Sequence, residues 1–203
     1  MVTTKNLGNM LQQMHESRTP AIYEFQGLEM RYTDIGDPTI RLNRVTLRNG
    51  RITLSNKQTL VVEGKGVVLE NFDVIGGKVG VLVEQFKSIT LVDCLLRDNG
   101  TGLALCANAT ASVIDSDFIG QRMWCISALA GSSLEGTRLQ ITGGRGAALL
   151  ALDKAAVTLT DCALPENPGS LGKLQGGASL VMTRCAVNGE FERDDTSTLE
   201  VLP

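Results

Sequence analysis

Apolar residues return along this chain in short runs that repeat about every 22 residues, from Arg41 to the C-terminal region. Seven segments share one offset pattern, in which the residue five places after a reference position is apolar every time. The reference residues are Leu42, Leu69, Leu91, Val113, Leu134, Leu159 and Met182. An internal repeat of this length predicts a solenoid, in which each repeat packs only on its neighbours.

Within each repeat, short runs alternate between apolar and other residues without a 3.6-residue period, so they predict strands and not helices. A second apolar run opens each repeat at its own spacing of about 22 to 24 residues. These runs are Gly80–Val83, Gly102–Leu105, Trp124–Ser127 and Ala148–Ala151. Two or three strands per repeat, stacked in register, form parallel sheets. We therefore predict an all-β parallel β-helix of about seven coils.

A column of turn residues lies two places after the reference positions. It reads Arg44, Asn71, Asp93, Asp115, Gly136, Asp161 and Arg184. Asn, Asp and Gly tolerate a left-handed backbone, which favours a structural role at a sharp turn. The alternative is that Asp93, Asp115 and Asp161 form a carboxylate array for calcium or for acid–base chemistry, because stacked acids perturb one another's ionisation.

These repeats resemble the right-handed β-helix superfamily with the pectin-lyase-like fold, best over residues 79–146. The column of Asn71, Asp93, Asp115 and Asp161 is similar to the asparagine ladder of that family. The resemblance implies a single-stranded right-handed parallel β-helix over most of the chain. It leaves the function open, because the superfamily includes polysaccharide lyases and hydrolases, phage adhesins and non-catalytic binding modules.

The pattern divides the chain into an N-terminal cap (1–21), the β-helix (22–190) and a C-terminal tail or cap (191–203). In the first segment, Leu7, Met10, Leu11 and Met14 share one helical face, which predicts a short amphipathic helix capping the open end of the solenoid. Residues 48–59 form either a loop or an extra strand, because Leu42 and Leu69 are 27 residues apart.

Composition narrows the function. The 203 residues carry a net charge of -3 without a basic cluster, which argues against nucleic-acid binding. No stretch approaches the roughly 18 to 20 apolar residues of a membrane helix. Five cysteines lack metal-binding spacing, and we expect Cys162 and Cys185 to be free thiols on adjacent coils. We therefore expect a cytoplasmic or other reducing compartment, and neither a metal nor a cofactor.

Candidate catalytic residues are scarce. His15 is the single histidine, so a Ser/His/Asp or Cys/His arrangement lacks a base, and we expect no catalysis. The four runs of the first sheet contain no charged residue. Lys78, Asp98, Arg122 and Arg145 lie at the turns that enter this sheet. The alternative function is therefore a polysaccharide lyase or hydrolase, or an acidic-polysaccharide binder, that uses these turns.

The first sheet is apolar on both faces, which is the strongest functional signal. If Val81 and its equivalents point inward, the outward stripe is Leu82, Ala104, Ile126 and Leu150, with Trp124 beside it. A continuous exposed stripe of this kind indicates a covered surface. The cover is either a terminal segment of the chain itself, or a protein partner or second copy. We expect a non-catalytic interaction or self-assembly module.

Overall fold

The computed structural model describes Glu16 and residues 19–31, 39–142, 147–165 and 170–203. These residues form an all-β parallel solenoid of about eight turns, one more than the sequence predicted. The predicted capping helix lies outside the described residues, apart from Glu16. The described part contains no helix that is long and apolar enough to cross a membrane.

The strands form two sheets. Sheet B has eight strands: β3 (Thr39–Leu42), β5 (Thr59–Val62), β7 (Val79–Val83), β10 (Thr101–Leu105), β13 (Trp124–Leu129), β16 (Ala147–Leu152), β19 (Gly172–Gln175) and β22 (Phe191–Arg193). Sheet A has fifteen strands and two faces, joined by the long strands β4 (Val45–Thr53) and β6 (Val67–Ile75).

The first face of sheet A contains β1 (Ala21–Glu24), β8 (Ser88–Val92), β11 (Thr110–Ile114), β14 (Ser133–Thr137), β17 (Ala156–Thr160), β20 (Ser179–Thr183) and β23 (Thr198–Leu202). The second face contains β2 (Glu29–Arg31), β9 (Leu95–Arg97), β12 (Asp117–Ile119), β15 (Gln140–Thr142), β18 (Ala163–Leu164) and β21 (Ala186–Val187). Each full turn therefore passes through three faces.

The strand register corrects the repeat alignment at two levels. Leu69 lies between Leu47 and Leu91, so Leu47 and not Leu42 is the first reference residue. The spacing from Leu47 to Leu69 is then 22 residues, and residues 48–53 continue strand β4 instead of forming a loop. In the coil that contains Leu134, Gly136 is the residue that pairs with Val113. The reference residue of that repeat therefore lies two positions later than the sequence alignment placed it.

The core is a stack of inward-facing aliphatic side chains with three fully buried phenylalanines, Phe25, Phe72 and Phe118. The rings of Phe25 and Phe72 meet edge to face, with centroids 5.2 Å apart. Gly50 pairs with Phe72 in the register, and a Cβ atom at Gly50 would lie 2.5 Å from Cβ of Phe25. The glycine therefore leaves the room that the Phe25 ring occupies.

Buried polar side chains link successive coils at one turn. Asn99 is fully buried; its Oδ1 accepts from the backbone N–H of Gly77 at 2.9 Å, and its Nδ2 donates to the Val74 carbonyl at 3.1 Å. In the next coil, Oε1 of Gln121 accepts from the N–H of Asn99 at 2.9 Å. These amides satisfy backbone groups that lie away from water.

The five cysteines are free, and Cys162 and Cys185 occupy adjacent coils as expected. The backbone N–H of Cys162 donates to Sγ of Cys185 at 3.4 Å. Burial raises the pKa of the Cys162 thiol to about 11. Both thiols therefore belong to an interior column of the fold.

Residues 191–203, expected to be a tail or cap, contain the last two strands of the solenoid. Strand β22 pairs with β19, and β23 pairs with β20. Val201 of β23 lies beside Met182 in the same inward column, yet Val201 is 57% exposed whereas Met182 is 1% exposed.

Candidate interaction surface

The outer face of sheet B carries a central column of side chains, one from each strand. In strand order the column reads Arg41, Val61, Leu82, Ala104, Ser127, Leu150, Lys173 and Glu192. Its middle members are apolar or small, and charged residues lie at both ends. Leu82, Ala104 and Leu150 are half-buried, while Val61 and Ser127 are only 4% and 6% exposed. Leu82, Ala104 and Leu150 therefore lie in one outward column, and Ser127 occupies the position at which Ile126 was predicted.

Ile126 does not belong to this stripe. It pairs with Leu103 and Leu149 in the core and is fully buried, and Ser127 takes the outward position. The sequence alignment matched Trp124 with Gly102, but Trp124 pairs with Thr101. This one-residue shift places the Ile126 side chain on the inner face of the sheet and the Ser127 side chain on the outer face.

A second outward column runs beside the first, at the end of each strand. It contains Glu84, Cys106, Leu129, Leu152 and Gln175, all half-buried. Glu84 and Cys106 directly follow Val83 and Leu105, which are register partners. Burial raises the pKa of the Cys106 thiol, and the nearby Glu84 carboxylate adds to the rise. The apolar part of the face is therefore two columns wide.

Two exposed apolar side chains that the sequence analysis missed lie at the edges of this face. Phe86 follows β7 and is 60% exposed, and its backbone is in the left-handed conformation with φ of 61°. Met123 precedes β13 on the other edge and is 59% exposed. A bulky aromatic residue rarely adopts a left-handed conformation. The only sequence signal is an aromatic residue between Gln85 and Lys87 at a turn.

Among the charged turn residues beside the sheet, Arg122 makes hydrogen bonds to backbone groups of two earlier turns. Nη1 of Arg122 donates to the carbonyl of Asp98 at 2.7 Å, and Nη2 donates to the carbonyl of Gly77 at 2.9 Å. The Arg122 guanidinium therefore ties together turns of earlier coils. Lys78 is exposed, and Arg145 lies outside the described residues.

The carboxylate column consists of turn residues, and two of them, Asp115 and Asp161, are paired with arginines. Asp93, Asp115 and Asp161 all have φ near +50°, as the turn interpretation predicted. Arg138 donates two hydrogen bonds to Asp115, which lower the pKa of that carboxyl below its ordinary value. Arg138, and not Gly136, occupies the turn position of its coil, with φ of 54°. These pairings favour a structural role for the column over a calcium-binding array.

A polar groove of about 300 Å³ lies on the other side of the solenoid, near its first coils. Its lining includes Glu29, Asn49, Arg51, Asn71 and Asp73. Nε and Nη2 of Arg51 both donate to Oδ2 of Asp73, at 2.8 and 2.6 Å. Nδ2 of Asn71 donates to Oδ1 of Asn49 at 2.8 Å. The groove presents carboxylate, amide and guanidinium groups at its surface.

Comparison with known proteins assigns neither a family nor a function to this surface. No protein family and no curated protein matches the chain. Among solved structures, the chain is similar to HetL, a pentapeptide repeat protein involved in heterocyst differentiation regulation from the cyanobacterium Nostoc sp. strain PCC 7120. That match has 10% sequence identity and a TM-score of 0.24, and covers 98% of this chain and 95% of that chain. A superposition this loose supports no shared function, and HetL is not a pectin-lyase-like β-helix.

Proposed function

We propose that this solenoid is a non-catalytic protein-interaction or self-assembly module that uses the outer face of sheet B. The observation that carries the proposal is the pair of adjacent outward columns, whose central members are apolar or small. Exposed Phe86 and Met123 lie at its two edges, with Trp124 next to Met123. Large aromatic and methionine side chains around an apolar centre are typical of protein interfaces.

The chemistry of the described residues supports a non-catalytic role. No group of three or more His, Cys, Asp or Glu side chains among them could hold a metal ion. Burial raises the pKa of the Cys94 and Cys125 thiols to about 12. These thiols are therefore protonated at neutral pH and are poor nucleophiles.

The test is a measurement of solution mass by light scattering together with thermal denaturation. The variant is Trp124→Glu with Leu150→Glu, because carboxylates cannot be buried in a dry interface without a large cost. Ser112→Glu with Thr158→Glu is the matched control on the outer face of sheet A. We expect the first variant to stay folded and lose assembly, and the control to keep it.

Two other outcomes contradict self-assembly through this face. A lower melting temperature at unchanged mass means that the chain's own residues cover the face. Unchanged mass and unchanged melting temperature mean that the face makes no contact that a charge can disrupt.

The polar groove favours a second candidate function, the binding of a carbohydrate. Adjacent sugar hydroxyls pair well with the planar carboxylate, amide and guanidinium groups that line it. Two carboxylates, Glu29 and Asp73, accompany the single guanidinium of Arg51, so a neutral sugar fits this groove better than an acidic one. Calorimetric titration with a neutral and a uronic-acid oligosaccharide tests this. If neither oligosaccharide binds, or if an Arg122→Ala variant loses the binding, the site does not lie in the groove.

We also infer that the coils are right-handed and that the solenoid belongs with the pectin-lyase-like β-helices. Three strands per turn and a column of left-handed Asn and Asp turn residues support this assignment. Parallel crossover connections are overwhelmingly right-handed. A crystal structure with left-handed coils would contradict it.

A further inference from the structure

We infer that the occupant of the outer face of sheet B is a second copy of this chain. The two copies are related by a two-fold axis that is parallel to the strands and passes over β13, so the solenoids run in opposite directions. This inference rests on the proposed function and names its partner. It follows from three complementary pairs of features at equal distances on either side of β13.

The first pair is a match of small and large side chains. In the central column, Ala104 lies one strand before β13, and Leu150 lies one strand after it. A copy turned end for end therefore places Leu150 over Ala104. In the second column the same rotation places Leu152 over Cys106. Large side chains that meet small ones allow the two faces to approach closely.

The second pair is a match of charge. Lys173 lies two strands after β13, while Leu82 and Glu84 lie two strands before it. In the rotated copy, the alkyl stem of Lys173 covers Leu82 and its ammonium group reaches Glu84. Among the described residues, neither Glu84 nor Lys173 takes part in an ion pair. With the solenoids parallel instead, Lys173 would face its own copy, and the like charges would repel.

The third pair lies along one edge of the face. Phe86 is in the turn after β7, two strands before β13, and is 60% exposed. Gly176 and Gly177 form the equivalent turn after β19, two strands after β13. The rotation places the Phe86 ring over this turn, which has no side chains to obstruct it. Because the interface is two-fold, each of these contacts forms twice.

The size of the face places the expected dimer among weak interfaces. Five strands at about 4.8 Å and roughly 17 Å of strand length give about 400 Å² on each copy, or about 800 Å² in total. This area lies below that of standard specific interfaces, so we expect a weak and transient dimer.

Sedimentation velocity over about 1 to 300 μM is the first experiment. We expect wild type to shift from monomer to dimer in this range, and Leu150→Glu to remain monomeric with an unchanged circular dichroism spectrum. Thr158→Glu, on the outer face of sheet A, is the control and should dimerise like wild type. A wild-type protein that is monomeric at 300 μM overturns this inference.

Charge reversal tests the direction of the two copies. Glu84→Lys and Lys173→Glu should each weaken the dimer by about tenfold, since each exposed pair occurs twice. The two substitutions together should restore the wild-type dissociation constant. A double variant as weak as the single ones overturns the pairing of Glu84 with Lys173.

Chemical cross-linking tests the position of the axis. Leu129 lies in β13, so it faces its own copy across the axis. A Leu129→Cys variant in a Cys106→Ser background should give a covalent dimer with a short bis-maleimide, which spans the roughly 10 Å between packed sheets. Thr137→Cys, in the same coil but on sheet A, is the control. Equal cross-linking of both variants overturns the two-fold arrangement.

These outcomes separate this inference from the proposed function. If wild type is monomeric while Trp124→Glu with Leu150→Glu has a lower melting temperature, the chain covers its own face, and both are wrong. If wild type dimerises but Leu129→Cys does not cross-link selectively, self-assembly through the face stands and the two-fold geometry is wrong.

Discussion

Ile126 lies beside Leu103 in the neighbouring strand of sheet B, and both side chains are fully buried. Ser127, the next residue, lies beside Ala104 on the outer face. The strand therefore divides its two adjacent residues between the core and the surface that we propose as an interface. The register of β13 therefore determines which residues form that surface.

This division predicts very different effects of two neighbouring alanine substitutions. Ile126→Ala should lower the free energy of unfolding by about 2 to 5 kcal/mol, because it leaves a cavity in the core. Ser127→Ala should change it by less than about 0.5 kcal/mol in the monomer. Urea denaturation of both variants at low protein concentration measures the difference. A larger loss for Ser127→Ala would show that the register assigned to β13 is wrong.

The buried amide of Asn99 should contribute strongly to stability. Asn99→Ala leaves the N–H of Gly77 and the carbonyl of Val74 without their partner in a buried region. We expect a loss of about 2 to 4 kcal/mol in the free energy of unfolding. Asn188→Ala, an exposed asparagine, is the matched control and should be nearly neutral. Equal effects of the two substitutions would contradict a structural role for the buried Asn99 amide.

Asp194 should make stability depend on pH in the acidic range. Its carboxylate accepts from the N–H of Gly176 at 2.8 Å and from the Ser197 hydroxyl at 2.7 Å, and these hydrogen bonds lower its pKa from 3.8 to about 2. A lowered pKa in the folded state stabilises the fold above the unfolded-state pKa. This stabilisation is lost as the pH falls from about 4 to about 2.

The measurement is the melting temperature of wild type and Asp194→Asn between pH 7 and pH 2. We expect wild type to melt higher at neutral pH, and the gap to close towards pH 2. A gap that stays constant across this range would mean that the Asp194 carboxylate does not carry the effect.

Thiol labelling should separate the outer face from the core. Cys106 is half-buried on the outer face of sheet B, whereas Cys94 and Cys125 are buried with a pKa of about 12. In dilute protein at pH 8, iodoacetamide should therefore modify Cys106 well before these two thiols, because the thiolate is the reactive form. Mass spectrometry of the digested protein gives the order. Labelling of all three at one rate would indicate global opening of the fold.

The repeat pattern was enough to predict the parallel solenoid, because interior apolar positions and left-handed turn residues recur in every coil. It could not fix the register where an inward position is unusually small. Gly136 faces the core between Val113 and Leu159, although an apolar side chain is expected there. A Cβ atom at Gly136 would lie 2.7 Å from Leu139 and 2.8 Å from Leu159, so neighbouring leucines fill its place.

Some features of the candidate surface were predictable from the sequence, and others were not. Its apolar character follows from the residue types of β7, β10 and β16, and needed no coordinates. The exposed ring of Phe86 was not predictable, because an aromatic residue in a left-handed turn contradicts the usual preference. Arg122 belongs to the charged turns that the sequence offers as an alternative ligand site, yet its hydrogen bonds reach across 24 and 45 residues of sequence. Such long-range partners are not visible in a local pattern.

The packing around Gly136 gives the last prediction. Gly136→Val should lower the free energy of unfolding by about 1 to 3 kcal/mol or more, because the new side chain overlaps Leu139 and Leu159 in a filled core. Thr137→Val, the next residue on the outer face, is the control and should be close to neutral. If Leu134 were the aligned residue instead, position 136 would be a surface turn equivalent to Asp115 and Asp161, and a valine there would not overlap Leu139 and Leu159. Chemical denaturation of the two variants therefore tests the corrected register of this coil directly.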